Sequence, residues 1–115
     1  MPYLHLKTNV TIDSHQTQSL LSHLSKQLAR ETGKPERYVL VEMTCSNNML
    51  FAGISDPLAY VECKSIGLTT AQAKTLSATL AQSLNADLSI APDRIYIEFS
   101  NCPAEFWGWN GGTFA

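Results

Sequence analysis

The chain has 115 residues, 44% of them hydrophobic and only 16% charged, with a formal net charge of −2. That length supports one domain over residues 1–115, with a core of its own but small enough to gain from assembly into an oligomer. There is no basic run to hold nucleic acid or an acidic membrane surface, no apolar stretch of ~20 residues, and no charged-then-apolar leader at the start.

The first predicted element is a strand at 2–7, "PYLHLK". Its leading residue, Pro2, cannot donate a backbone hydrogen bond. Removal of Met1 would give Pro2 a free secondary amine, the only one that a ribosomal chain can present. A helix follows, capped by Asp13 or Ser14, with Leu20, Leu24 and Leu28 recurring every fourth residue. Gly33 followed by Pro35 ends it. The segment "YVLVEM" at 38–43 reads as a strand that is apolar on nearly both faces, and "MLFAGI" at 49–54 as a short strand extending the sheet or lending an edge to a neighbour. The pattern then returns. A strand "AYVECK" at 59–64 leads to a helix capped by Thr69 or Thr70, with Leu76, Leu80 and Leu84 on one side. The strand "IYIEF" at 95–99 alternates Ile95, Ile97 and Phe99 against Tyr96 and Glu98. The tail "WGWNGGTFA" carries an Asn-Gly pair between aromatic residues, the signal of a small hairpin.

The chain thus says one thing twice, over roughly 2–44 and 59–100. "PERYVLV" at 35–41 answers "PDRIYI" at 92–97 as "PYLHLK" answers "AYVECK". Each half reads strand, helix, strand. The expectation is an α+β fold built of α/β-like tandem repeats: a four-stranded mixed sheet, both helices on one face, and short extra strands. Two helices cover only one face. The other must meet something, and copies of the same chain are the simplest candidate, in keeping with a charged fraction below the usual quarter or so.

Cys45, Cys63 and Cys102 are odd in number and form no CxxC pair, which fits a reducing, cytoplasmic setting and neither a disulfide framework nor a dithiol redox site. His5, His15 and His23 are scattered. His15 and His23 can share a helix face, but two turns apart they make a poor metal pair, and no metal site is expected.

"TNV" at 8–10, "TGKP" at 32–35, "SIG" at 65–67, "PDR" with "YI" at 92–97, and "GWN" with "TFA" at the end follow the initial Met-Pro. In this order, and over essentially the whole chain, they resemble the macrophage migration inhibitory factor family of the tautomerase superfamily. The resemblance implies a homotrimer whose sheets face inward, active sites at subunit boundaries, and an isomerase that needs no cofactor. It implies that Pro2 is the catalytic base. An α-amine suits that role because its ordinary pKa near 8 lies closer to neutrality than a lysine's, and burial or a nearby cation lowers it further. Lys34 matches the cation and anion-binding residue. Ile66 matches the residue whose backbone N–H holds a substrate carboxylate. Tyr96 matches a tyrosine reaching in from the neighbouring chain, and Tyr38, Trp109 and Phe114 match aromatic residues around the pocket.

This chain departs from the family pattern in four places. Glu98 stands where the cytokine has asparagine, so a carboxylate is expected at the pocket mouth. Trp107 replaces a small aliphatic residue and narrows the pocket. Lys64 replaces a histidine before "SIG". The Cys-x-x-Cys segment reads "LAYV" at 58–61, which removes the basis for thiol-oxidoreductase activity. The resemblance therefore implies a keto–enol tautomerase acting on aromatic 2-keto acids such as phenylpyruvate. The alternative is a cytokine-like binding trimer with a vestigial pocket, for which leaderless secretion would follow the family and the receptor is unknown. Dehalogenating or decarboxylating members add paired arginines beside the proline. Here the arginines are Arg30, Arg37 and Arg94, and the mid-chain "TTAQAKTL" has none.

Overall fold

Local chemistry sets both helices. In the computed structural model, which describes residues 1–115, α1 runs Ser14–Thr32 and α2 runs Thr70–Leu88. Asp13 caps α1: its Oδ1 accepts from the Gln16 N–H at 2.8 Å, and the Gln16 side chain reaches back to the Asp13 N–H. Thr69 and Gln72 make the same reciprocal pair on α2, at 3.1 and 3.0 Å. Such boxes satisfy amides that would otherwise be orphaned at a helix start, and each contributes about 1 kcal/mol. Gly33 ends α1 at φ +70°, a left-handed geometry that glycine adopts without penalty.

The strands are β1 (Tyr3–Thr8), β2 (Leu40–Thr44), β3 (Ala59–Ile66) and β4 (Ile95–Cys102), in the order β2-β1-β3-β4. The pairs β1–β2 and β3–β4 are parallel, and each is joined through a helix. The two halves meet at the antiparallel pair β1–β3. Leu4, Leu6, Val61 and Cys63 point from the two central strands into the core. There they meet Leu20, Leu24 and Leu28 of α1 and Leu76, Leu80 and Leu84 of α2. Burying each of these leucines stabilises the fold by about 1.5–3 kcal/mol. Between the helices, Ser83 Oγ donates to Gln27 Oε1 at 3.0 Å and Thr79 Oγ1 to Glu31 Oε1 at 2.9 Å.

Two expectations need correction. The strand expected from Tyr38 begins at Leu40, because Pro35 is followed by a 3₁₀ turn, Glu36–Tyr38, closed by the Tyr38 N–H donating to the Pro35 carbonyl at 3.0 Å. Pro92–Arg94 repeats the device before β4. The strand expected at 49–54 is instead a tight turn. Phe51 and Ile54 exchange backbone hydrogen bonds at 3.0 Å around Ala52 and Gly53, at φ 54° and 74°, so the segment does not extend the sheet. The terminal hairpin is present as β5 (Gly108–Trp109) and β6 (Gly112–Thr113), turning on Asn110 and Gly111, which both have positive φ.

The sheet face away from the helices carries three cross-strand rows, given by register and alternation: Leu40–Tyr3–Lys64–Ser100, Glu42–His5–Glu62–Glu98, and Thr44–Lys7–Tyr60–Tyr96. Within the chain nothing covers it. Leu40 is 56% and Tyr96 67% exposed, and His5 Nε2 is buried with no hydrogen-bond partner.

Candidate active site

Sheet register brings the N-terminus to the site. Tyr3 lies opposite Leu40 on one side and Lys64 on the other. Continuing both ladders by one residue places Pro2 beside Val39 and Ser65, which adjoin Tyr38 and Ile66 in the chain. The Leu40 N–H donates to the Pro2 carbonyl at 3.0 Å, and the Pro2 ring is fully buried. Ile66 in turn pairs with Cys102 at the end of β4, the end from which the chain continues to Trp107 and the terminal hairpin. One end of the sheet therefore gathers residues from the start, middle and end of the sequence.

The aromatic residues pack there as a unit. Tyr38 meets Trp109 edge-on with centroids 5.4 Å apart and Phe114 edge-on at 5.7 Å, while Trp109 and Phe114 stack at 5.8 Å. Edge-to-face and offset contacts suit the ring quadrupoles and fix the orientation of all three. They wall a cleft of about 380 Å³, completed by Tyr3, Arg37, Val39, Leu40, Trp107 and Gly108. Trp107 is thus in the wall, as the sequence predicts. Tyr3, Val39, Leu40 and Arg37 are members that sequence reasoning missed. Only Arg37 left a signal there, as a cation next to Tyr38 in "PERY".

Electrostatics at this end favour a weakly basic terminal amine. Burial first, and the Lys34 charge second, hold the Met1 ammonium below its ordinary value of 8.0. Lys34 is half-buried directly after the Gly33 cap, and its N–H donates to the Ala29 carbonyl at 3.2 Å. Tyr3, at the lip of the cleft, donates to Glu42. That bond is the main reason its phenol is pushed up to about 12, so it stays a proton donor at neutral pH. Past Ile66 the backbone turns at Gly67, and Asn101 Oδ1 pins the turn by accepting from the Gly67 and Leu68 N–H groups at 2.9 and 3.2 Å.

Of the expected site residues, Pro2, Lys34 and Ile66 do not line the cleft, and Tyr96 and Glu98 are not brought near it by their own chain. Tyr96 and Glu98 lie on the open face of β4. Tyr96 shares the row of Lys7, four residues along β1 from Tyr3, a separation of roughly 13 Å. Tyr96 packs against Phe51 at 4.7 Å, and Glu98 is exposed beside Tyr60, whose phenol is raised by burial and then by the Glu98 charge. On the helix side, His15, His23 and Asp87 line a separate cleft of about 410 Å³, with His23 Nδ1 3.2 Å from Asp87 Oδ2. No three metal-binding side chains in the chain converge on one point.

Comparisons with known proteins agree with this fold. A family model described as macrophage migration inhibitory factor matches residues 1–115. The macrophage migration inhibitory factor of Meriones unguiculatus is 44% identical over 116 aligned positions, covering 100% of both chains. The homolog from Brugia malayi is 36% identical, covering 99% of each. The crystal structure of the Prochlorococcus marinus homologue superimposes with a TM-score of 0.93 at 39% identity, over 98% of this chain and 99% of that one. With two helices on a β2-β1-β3-β4 sheet and a whole-chain likeness to these proteins, this chain belongs to the macrophage migration inhibitory factor family.

Proposed function

We propose that the protein is a keto–enol tautomerase of aromatic 2-keto acids such as phenylpyruvate, with the Pro2 amine as base once Met1 has been removed. The observation that supports this reading is the setting of the chain's start: burial and the Lys34 charge hold the Met1 ammonium below its ordinary value, and Pro2, one residue on, hydrogen-bonds to Leu40 in the wall of the aromatic cleft. A base near neutrality is suited to proton transfer at a carbon next to a carbonyl. The neutral amine takes the enol hydroxyl proton as the enol oxygen becomes the ketone. The resulting ammonium returns a proton to the adjacent carbon, so no electrons are gained or lost and no step calls on a cofactor. Lys34 and the Ile66 N–H hold the carboxylate, and Tyr38, Trp107, Trp109 and Phe114 hold the ring.

In this reading the protein works as a homotrimer. The open sheet face, with Leu40 and Tyr96 exposed, packs against neighbouring copies. Tyr96 and Glu98 then enter a neighbour's cleft rather than their own. The test is to separate chains with and without Met1 by mass spectrometry and assay each on phenylenolpyruvate. An amide nitrogen has no basic lone pair, so only the processed form should turn over. Equal activity in the two forms would show that Pro2 is not the base.

Membership in a family named for a cytokine supports a second reading, a binding trimer that acts on a receptor. Pro2→Gly separates the two. Loss of turnover with the cellular effect intact favours binding, and loss of both favours catalysis.

A further inference from the structure

Arg37 and Arg94 occupy matching positions in the two repeats, closing "PER" at 35–37 and "PDR" at 92–94. Their surroundings differ. Arg94 is spent inside the chain. Its Nη1 donates to the Phe51 carbonyl at 2.8 Å, its Nη2 to the Ile54 and Asp56 carbonyls at 2.9 Å, and its Nε to the Pro57 carbonyl at 3.4 Å. Arg37 instead lies over the Tyr38 ring, with Cζ 4.7 Å from the centroid, on the wall of the aromatic cleft. It is in no ion pair. The carboxylate nearest in sequence, Glu36, accepts from Ser25 Oγ at 2.8 Å. One repeat thus uses its guanidinium as a clamp, and the other holds it at the cleft without an anionic partner from its own chain.

We propose that Arg37 is a specificity-determining residue that recognises a second carboxylate, on the part of an aromatic 2-keto acid remote from the reacting carbon. This rests on the tautomerase reading of the same cleft. A planar guanidinium matches a carboxylate through two parallel N–H···O bonds. Stacking on Tyr38 restricts the side chain before the ligand arrives, so less rotamer freedom is lost on binding. In that reading Lys34 and the Ile66 N–H hold the carboxylate at the reacting end, whereas Arg37 lies on the cleft wall that holds the ring. A substrate with one carboxylate leaves one of these cations unused, and a dianion engages both.

The experiment compares phenylpyruvate with 4-carboxyphenylpyruvate on the processed protein and on R37Q. The expected result is about a tenfold fall in kcat/KM for the dianion, the size of one solvent-exposed charged contact, with less than a twofold change for phenylpyruvate. Equal losses on both substrates, or an unchanged ratio, would overturn the proposal and leave Arg37 as a prop for Tyr38. Failure of the processed wild-type protein to turn over phenylpyruvate would count against the tautomerase reading alone. Arg37 is then decided by binding of unreactive 4-carboxyphenylacetate and phenylacetate, followed through the fluorescence of Trp107 and Trp109. A tenfold weakening in R37Q confined to the dianion supports the proposal, and equal affinities for the two acids overturn it.

Discussion

Replacing Cys63 with alanine should flatten the alkaline limb of the stability curve. The Cys63 side chain points from β3 into the core and is 0% exposed. Burial pushes its thiol from 9.0 up to about 12. The unfolded chain releases this proton as pH rises through 9.0, whereas the folded chain keeps it until about 12. Above 9.0 the unfolded state therefore binds fewer protons, so stability that is intact below 9.0 is lost as pH rises. One unit into that window the loss is about 1.4 kcal/mol. Tyr3 and Tyr60 act in the same direction about one unit later and equally in wild type and C63A, so the difference between the two proteins over pH 8 to 10 reports the thiol. Urea unfolding of wild type and C63A at fixed protein concentration measures the difference. C63A starts lower because of the space left by the sulfur, and its stability should then stay nearly level while the wild type falls. Parallel curves over pH 8 to 10 would refute this linkage. The same burial has a chemical consequence. At pH 7 the buried Cys63 thiol is far less ionised than a free thiol, so the group is a poor nucleophile. With "LAYV" at 58–61 in place of a Cys-x-x-Cys segment, the protein should show no insulin-disulfide reductase activity above a thiol-free control.

Sedimentation equilibrium at micromolar concentration should give the mass of a trimer, and a monomer mass would remove both the covered face and the shared site. For the processed protein, kcat/KM should rise with pH as the Pro2 ammonium loses its proton, with a midpoint below 8.0. Glu98→Asn should improve turnover of bulky dopachrome-type esters relative to phenylpyruvate, since it removes a charge that such ligands must desolvate. An unchanged ratio of the two efficiencies would show that Glu98 points away from the substrate.

The repeat, the two leucine-lined helices and their caps are legible in the sequence because they are local. Asp13 with Gln16, and Thr69 with Gln72, act within one turn, and a leucine every fourth residue marks a face whatever the face meets. The aromatic and proline positions are also legible, through motifs that keep their order along the chain. Other motifs serve the fold as well as the resemblance. Asn9 of "TNV" holds the 55–58 loop by donating to the Ser55 carbonyl at 2.9 Å and accepting from the Leu58 N–H at 3.0 Å, and Arg94 of "PDR" holds the same loop from the other repeat. Composition alone misreads "MLFAGI", because a turn is decided by the backbone angles of Ala52 and Gly53 and not by the hydrophobicity around them. Only tertiary structure decides the site itself. The β1–β2 and β1–β3 registers bring the chain's start between Leu40 and Lys64, close to Tyr38 and Ile66, and β4 returns Trp107, Trp109 and Phe114 to that end. Arg37 and Arg94 show the same limit most simply. Similar three-residue contexts give one a loop of carbonyls and the other an open cleft, because a guanidinium's partners are set by what folds against it and not by its neighbours in the chain.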